Sequence, residues 1–189
     1  MAKSTNRAHN CRVQKYRTMM AVAAKFDMEI LQFDVIGAFL NAKRDNMPLV
    51  ICQLPDGYKK EGTCAKLNRA LYGLKDSPVL WYQELSSTLT KLGLTTSKEE
   101  PYLFFDSDHT VFILFYVDDI LVIFGRNFDH RAHSVIAGIK RAYDVEDKGP
   151  VSWFLGVRVI RHCTERRIVL CHDAYIDKVA KKFDLADST

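Results

Sequence analysis

Two adjacent aspartates, Asp118 and Asp119, interrupt one of the most apolar stretches of the sequence. Apolar and aromatic residues fill positions 111–117 before them and 120–124 after them. Both runs are short and rich in β-branched and aromatic residues, as buried strands are. The pattern predicts a hairpin whose two-residue tip is Asp118-Asp119. Because carboxylates are rarely buried without a compensating cation, this tip favours a divalent metal, and oxygen ligands suit Mg²⁺.

A hairpin turn without any function is the alternative for this pair, since aspartate is a common turn residue. The favoured two-residue turns combine Asn or Asp with glycine, because both central residues need a positive φ. Asp118-Asp119 contains no glycine and places two like charges side by side. Taken alone, the pair leaves both the metal site and the plain turn open.

A third aspartate follows a similar apolar segment earlier in the chain. Asp34 lies near the end of the segment 30–35, and Gly37 precedes the apolar residues 38–40. The sequence predicts a strand that ends at a turn or short helix, and Asp34 alone could simply cap that helix. Together, the three aspartates are the composition that two-metal phosphoryl chemistry requires, since two Mg²⁺ ions about 4 Å apart need several carboxylates.

Several motifs, in the same order along the chain, resemble the reverse transcriptases of copia-class retrotransposons. The sequence YVDD at 116–119 is similar to their active-site hairpin, and 33–41 resembles the segment with their other catalytic aspartate. The sequence LYGLKDSP and the aromatic pair after it, within 71–82, are similar to the signature of that class. The sequences FLG at 154–156 and YI at 175–176 fall where the class has them.

The resemblance implies an RNA-directed DNA polymerase that adds deoxynucleoside triphosphates to a primer 3′-hydroxyl on an RNA or DNA template. Two Mg²⁺ ions, which Mn²⁺ can replace, would be bound by the carboxylates of Asp34, Asp118 and Asp119 and by the backbone carbonyl of Val35. The substrate-binding residues that it implies are Phe39, Val35, Arg12, Arg17, Tyr72 and Lys75. Phe39 matches the aromatic residue that excludes ribonucleotides at the sugar 2′ position, and a simple core phenylalanine is the equal alternative.

The fold class implied by the resemblance is α+β: a reverse-transcriptase palm with an antiparallel sheet backed by helices, plus partial fingers. One domain is expected over 1–189, reaching the start of the thumb connection, with 1–10 disordered. Other parts of a Pol polyprotein are expected as partners. An intracellular location is expected, in cytoplasmic particles and also in the nucleus. The alternative function is an inactive palm remnant that folds or binds nucleic acid but does not turn over, because its fingers are truncated.

Composition limits the other functional classes. The formal charge of +4 excludes a uniformly polybasic protein, although six basic residues precede the first acidic residue, Asp27, and a second basic group lies within 158–167. Either group could contact phosphates or form a solvated surface. Five cysteines without a C-x-x-C pair indicate reduced thiols in an intracellular compartment. No apolar run reaches the ~18 residues of a membrane span, so no membrane partner is expected.

Periodicity predicts the remaining elements. A helix is expected over 17–26, a second begins at the N-cap Ser77 and ends at Gly93, and Asp129 and Asp173 are predicted to cap two more. Strands are expected over about 30–35, 49–54, 102–106, 111–117, 120–124, 153–161 and 167–171. Strands and helices in this order favour an antiparallel sheet backed by helices. A phosphoacceptor domain is disfavoured, because that class requires repeated βα units and a parallel sheet.

Overall fold

The computed structural model describes residues 15–96 and 98–185. A sheet of six antiparallel strands is the largest element of this part of the chain. In chain order its strands are β1 (Glu29–Val35), β4 (Thr95–Thr96), β5 (Leu103–Phe105), β6 (Val111–Tyr116), β7 (Asp119–Phe124) and β8 (Val145–Pro150). In space their order is β4-β5-β6-β7-β1-β8, so the first strand of the chain lies between β7 and β8.

Two smaller sheets and five helices complete the described part. The strands of the smaller sheets are β2 (Ile51–Cys52), β3 (Ala65–Lys66), β9 (Trp153–Phe154), β10 (Val157–His162) and β11 (Arg167–Cys171). The helices are α1 (15–25), α2 (Ala38–Asn41), α3 (Ser77–Lys91), α4 (Asp129–Ala142) and α5 (Asp173–Lys182), with a 3₁₀ turn at Arg126–Phe128. The α+β class with antiparallel sheets is therefore confirmed. None of the helices in the described ranges is long and apolar enough to cross a membrane.

Both faces of the central sheet are covered. On one face, Phe33 and Val35 of β1 and Val122 of β7 pack against a core that includes Trp81 and Leu85 of α3. Buried residues of α4 join the same core. The opposite face packs on other elements: Ile30, Leu121 and Ile123 contact a second core that includes Tyr16 of α1 and Phe154 of β9. Burial on both faces explains why β7 reads as a continuous apolar run rather than an alternating one.

The strand predicted over 153–161 is wrong as a single element. Leu155 and Gly156 both have a positive φ, of 51° and 75°, and they form the turn between β9 and β10. The strand predicted over 49–54 is shortened to β2. Three strands, β3, β4 and β8, were not predicted. The sequence of β8, VEDKGP, is too polar to show a strand pattern, and its pairing with β1 alone defines it.

Three N-caps differ from the prediction. Ser77 lies inside α3 and Asp76 is the N-cap, while Asp129 and Asp173 are the first residues of α4 and α5 instead of their caps. The Ser77 hydroxyl donates to the Leu71 carbonyl at 2.6 Å and accepts from the Leu71 N–H at 3.1 Å. It therefore stabilises the turn before α3 and does not cap the helix. The end of α3 before Gly93, which has a φ of 82°, is as predicted.

The apolar face of α3 should contribute strongly to stability, because Leu85 is fully buried. We expect Leu85→Ala to lower the free energy of unfolding by about 2–5 kcal/mol, through lost transfer energy and the cavity left behind. Urea unfolding followed by circular dichroism measures this change. Val79→Ala, at a position of the same helix that is 56% exposed, is the control and should change it by less than about 0.5 kcal/mol. Equal effects of the two substitutions would contradict the packing described here.

Candidate active site

Three carboxylates lie side by side across three neighbouring strands. Asp34 of β1 is directly opposite Asp119 of β7 and directly opposite Glu146 of β8. Residues that are opposite in antiparallel strands point to the same face, with Cβ atoms about 4.5–5.5 Å apart. The register of the sheet therefore brings these acidic side chains together at one end of the strands.

The tip of the hairpin differs from its prediction by one residue. The strand β6 ends at Tyr116 and β7 begins at Asp119, so the two-residue loop is Val117-Asp118 and not Asp118-Asp119. Asp119 is consequently a strand residue that faces Asp34. Asp118 lies in the loop, and its carbonyl accepts a hydrogen bond from the Val35 N–H at 2.9 Å. Sequence reasoning missed this register because glycine-free turns give no reliable position for the tip.

The loop depends on a buried tryptophan. Val117 has a φ of 56°, a conformation that is unfavourable for a β-branched residue. The Trp81 indole N–H donates to the Val117 carbonyl at 2.5 Å, and Trp81 is only 1% exposed. Packing of α3 against the sheet thus holds the loop that carries Asp118 in its strained conformation.

Each of the three predicted catalytic carboxylates has a partner from the protein. The contacts are Gln32 Nε2 to Asp119 Oδ1 at 3.1 Å, Tyr72 Oη to Asp118 Oδ2 at 3.5 Å, and Lys148 Nζ to Asp34 Oδ2 at 3.8 Å. In residues 15–96 and 98–185, no three His, Cys, Asp or Glu side chains are arranged to hold a metal ion. Neighbouring side chains therefore compensate part of the negative charge of these carboxylates.

The electrostatics of the site still favour a cation. Burial raises the pKa of Asp119 above its usual value of 3.8, and the charges of Asp118 and Asp34 raise it further. The hydrogen bond from Gln32 and the charge of Lys148 act in the opposite direction without cancelling this shift. Burial first, and the two neighbouring carboxylates second, therefore disfavour the charged form of Asp119. Its donors are all oxygen atoms, so their chemistry, although not the present arrangement of the described side chains, fits a hard divalent ion such as Mg²⁺.

Two of the predicted substrate-binding residues lie next to the carboxylates. The Phe39 and Tyr72 rings are 4.4 Å apart between centroids and are tilted by 55°. Phe39 is 6% exposed whereas Tyr72 is 55% exposed. Burial, and then the charge of Asp118, raise the pKa of Tyr72. In this aromatic pair, Phe39 therefore belongs to the core and Tyr72 lies on the exposed side of the site.

The other predicted residues are more scattered. Val35 is buried and contributes its backbone to the site, while Lys75 is exposed in the bend before α3. The Arg17 guanidinium lies 3.5 Å from His172 Nε2, at the beginning of α5. Arg12 and residues 1–10 lie outside the described ranges. The structure therefore groups Val35, Phe39 and Tyr72 with the carboxylates and places Arg17 beside another element.

Sequence reasoning missed Gln32, Glu146 and Lys148. Gln32 could have been found, because it precedes Asp34 by two positions and residues two apart share a face of a strand. Glu146 and Lys148 had no such signal, because the strand that carries them was not predicted. Lys148 Nζ lies 2.6 Å from Glu146 Oε2, so the two form an ion pair at the edge of the site.

The second basic group is largely occupied by internal ion pairs. Its pairs are Arg158 with Asp173 at 2.6 Å, Arg161 with Asp27 and Glu29 at 3.2 and 3.0 Å, and Arg167 with Glu165 at 2.8 Å. The pairs of Arg158 and Arg161 connect β10 to α5 and to the beginning of β1, whereas the pair of Arg167 lies within the β10–β11 hairpin. Much of the charge in this hairpin therefore stabilises the fold, and its contact with nucleic acid stays a prediction.

Comparison with known proteins identifies the class to which this fold and site belong. Residues 6–189 match the family model described as reverse transcriptase (RNA-dependent DNA polymerase), so the chain belongs to this family. Its relatives are retrotransposon proteins, which confirms the resemblance to the copia class.

The chain spans only part of the length of three relatives that it matches. It is 30% identical over 183 residues to the retrovirus-related Pol polyprotein from transposon TNT 1-94 of Nicotiana tabacum, covering 91% of this chain and 13% of that protein. It is 31% identical over 164 residues to the Pol polyprotein from transposon RE1 of Arabidopsis thaliana, covering 82% of this chain and 11% of that protein. It is 33% identical over 159 residues to the putative transposon Ty5-1 protein of Saccharomyces cerevisiae, covering 80% of this chain and 49% of that protein.

A solved structure of apo telomerase from Candida tropicalis, truncated from its C-terminal domain, is also similar. The TM-score is 0.46 at 10% sequence identity, and the match covers 88% of this chain and 40% of that chain.

Loss of the indole donor should loosen the loop that carries Asp118. We expect Trp81→Phe to lower the free energy of unfolding by about 1–3 kcal/mol, because the Val117 carbonyl loses its buried partner. It should also speed hydrogen exchange of the Val35 amide, which donates to the loop. Tyr82→Phe removes a comparable hydrogen bond, to the Pro101 carbonyl, and is the control for exchange. Unchanged protection of the Val35 amide in Trp81→Phe would contradict this role.

The raised pKa of Asp119 predicts a pH-dependent loss of stability without metal. Between the unfolded pKa near 3.8 and the higher native pKa, the native state binds more protons, so stability falls as the pH rises through this window. We expect Asp119→Asn to stabilise the metal-free protein at pH 7, and this gain should vanish below pH 3.8. Urea unfolding at several pH values measures it. Asp177→Asn, at an exposed position of α5, controls for net charge. A gain that did not depend on pH would argue against a charge effect.

Proposed function

We propose that the chain is the palm, with part of the fingers, of an RNA-directed DNA polymerase. It would add deoxynucleotides to the 3′-hydroxyl of a primer on an RNA or DNA template. The observation that carries this proposal is the meeting of Asp34, Asp118 and Asp119 at one end of the central sheet, within a chain that belongs to the reverse transcriptase family.

The carboxylates of Asp34, Asp118 and Asp119, with the Val35 carbonyl, would hold two Mg²⁺ ions, which Mn²⁺ can replace. Bound there, the ions would lower the pKa of the primer hydroxyl and balance the charge of the triphosphate. The chain itself contributes position. Pairing of β1 with β7 fixes Asp34 against Asp119, and the hydrogen bond to Val35 fixes the loop with Asp118. In the reaction, a bond forms between the primer oxygen and the α-phosphorus, the bond to pyrophosphate breaks, and the hydroxyl proton leaves to solvent.

The aromatic pair would bind the incoming nucleotide. Tyr72 is exposed and reaches Asp118, so its ring is available to the sugar and base of a substrate at the carboxylates. Phe39 lies behind Tyr72 and would set the space at the sugar 2′ position, which would exclude ribonucleotides. The phosphates of the substrates are proposed to be bound by Lys75, Arg12 and Arg17. Binding of Lys and Arg to phosphates is favoured by the release of counterions.

The remaining elements suit the same assignment. The central sheet backed by α3 and α4 would be the palm, and the segment with β2 and β3 would be part of the fingers. The hairpin of β10 and β11, which carries the second basic group, would approach the primer end, and α5 would begin the thumb connection. Since the chain spans 13% of the tobacco Pol polyprotein, other parts of such a polyprotein are proposed as partners, with action in cytoplasmic particles and the nucleus.

Primer extension tests this proposal. The protein is incubated with a primer on an RNA template, deoxynucleoside triphosphates and Mg²⁺ or Mn²⁺, and product lengths are measured. We expect Asp118→Asn to lower the extension rate by about 100-fold or more, because a carboxylate of the metal site is lost. Circular dichroism should show that the variant still folds, since Asp118 lies in an open loop.

The control is Asp177→Asn, which changes the net charge equally at an exposed position of α5. It should extend primers like the parent protein. Extension by Asp118→Asn at the parental rate would refute the assignment of this residue. A parent protein that binds the primer–template but does not extend it with either metal would establish the nonenzymatic alternative.

A further inference from the structure

Lys148 is the one cation that the described residues place in contact with the carboxylates of the site. It lies on β8, whose pairing with β1 shifts register between Gln32 and Phe33. Its ammonium is 3.8 Å from Asp34 Oδ2 and 2.6 Å from Glu146 Oε2. The Lys148 side chain is 37% exposed, so it can leave this position without unfolding the strand.

Glu146 determines where this ammonium lies. It is directly opposite Asp34 in the sheet, so the two carboxylates face the same way and the lysine lies within 4 Å of both. The shorter of the two contacts is the one with Glu146. The ion pair therefore keeps the cation close to Asp34 without bonding it tightly to that carboxylate.

We propose that Lys148 is a built-in counterion of the Asp34 carboxylate and that its ion pair with Glu146 keeps it beside Asp34. A divalent cation must displace Lys148 when it binds. This inference rests on the proposed function, because it assumes that Asp34 is a metal ligand. The lysine stabilises the metal-free site by balancing part of its negative charge. For the same reason it opposes the arriving divalent ion and lowers the affinity of the site.

Direct binding of Mn²⁺ to the whole chain tests the proposal without relying on activity. Free Mn²⁺ is measured by electron paramagnetic resonance during titration of the metal-free protein at low ionic strength. We expect Lys148→Met to bind Mn²⁺ about threefold to fivefold more tightly, the range expected for a partly exposed ion pair. Lys148→Arg, which keeps the charge, should bind like the parent protein. The gain of Lys148→Met should shrink at high salt.

Lys140→Met is the matched control. Lys140 pairs with Asp147, its side chain is 42% exposed, and this variant removes the same charge from the same region. It should leave the Mn²⁺ affinity nearly unchanged. A gain equal to that of Lys148→Met would show that net charge, and not the contact with Asp34, determines the affinity. That result would overturn the proposal.

Glu146→Gln tests whether Glu146 keeps the Lys148 ammonium in this position. It should weaken Mn²⁺ binding, because the released lysine moves onto Asp34 and a nearby negative charge is lost. In the Lys148→Met background the effect of Glu146→Gln should be clearly smaller, since only the second cause remains. Equal effects in both backgrounds would refute the coupling between Glu146 and Lys148.

Asp118→Asn separates failure of this inference from failure of the proposed function. If Asp118→Asn weakens Mn²⁺ binding and Lys148→Met does not tighten it, the metal site stands and the counterion is refuted. If Asp118→Asn leaves Mn²⁺ binding unchanged, the metal site itself is wrong and the counterion fails with it. Weaker binding by Lys148→Met would also overturn the proposal, because the lysine would then support the ion.

Discussion

The antiparallel pairing of β1 with β7 is the constraint on which the candidate site depends. Six residue pairs connect the strands, from Glu29 opposite Phe124 to Asp34 opposite Asp119. A slip of one residue would turn every side chain of β1 to the other face of the sheet. Asp34 would then enter the core that contains Trp81. Because an unpaired carboxylate in this apolar core is costly, the packing of the core disfavours the slip and so fixes the carboxylates.

A balance of charge explains how these carboxylates coexist before any cation binds. Gln32, Tyr72 and Lys148 each contact one of them, so hydrogen bonds and one ammonium replace part of the lost hydration. The raised pKa of Asp119 shows that this replacement is incomplete. If the proposed metal site is correct, the side chains that stabilise the metal-free fold must yield when a divalent ion binds. Folding and metal binding would then make opposite demands on this end of the sheet.

The predicted elements succeeded where apolar periodicity was strong. The face of α4 with Ala132, Val135, Ile136 and Ile139 is buried as its spacing predicts, and α3 buries Trp81, Leu85 and Leu89. Periodicity identified a helix face without determining its burial. Tyr175 in α5 and Phe183 just after its last residue have helical spacing, yet they are 65% and 64% exposed. A face becomes buried only when another element covers it, and that is a property of the tertiary structure.

Short polar strands and exact turn positions could not be predicted for a related reason. The strand β8 has no apolar alternation, and its strand conformation comes from hydrogen bonds to β1. The loop at Val117-Asp118 places a valine at a positive φ, against its local preference. It is tolerated because Trp81 and the paired strands hold it. Local preferences were overruled at these places by contacts that are distant along the chain.

The sequence by itself determined the three aspartates, the apolar runs around them and the membership of a polymerase family, because each is written in residue types and their order. Only the tertiary structure decided that Asp119 and not Asp118 is the strand residue opposite Asp34, and that Glu146 and Lys148 belong to the site. The register of the strands, and the position of the edge strand β8 beside β1, follow from packing over the whole sheet. No local stretch of sequence carries that information.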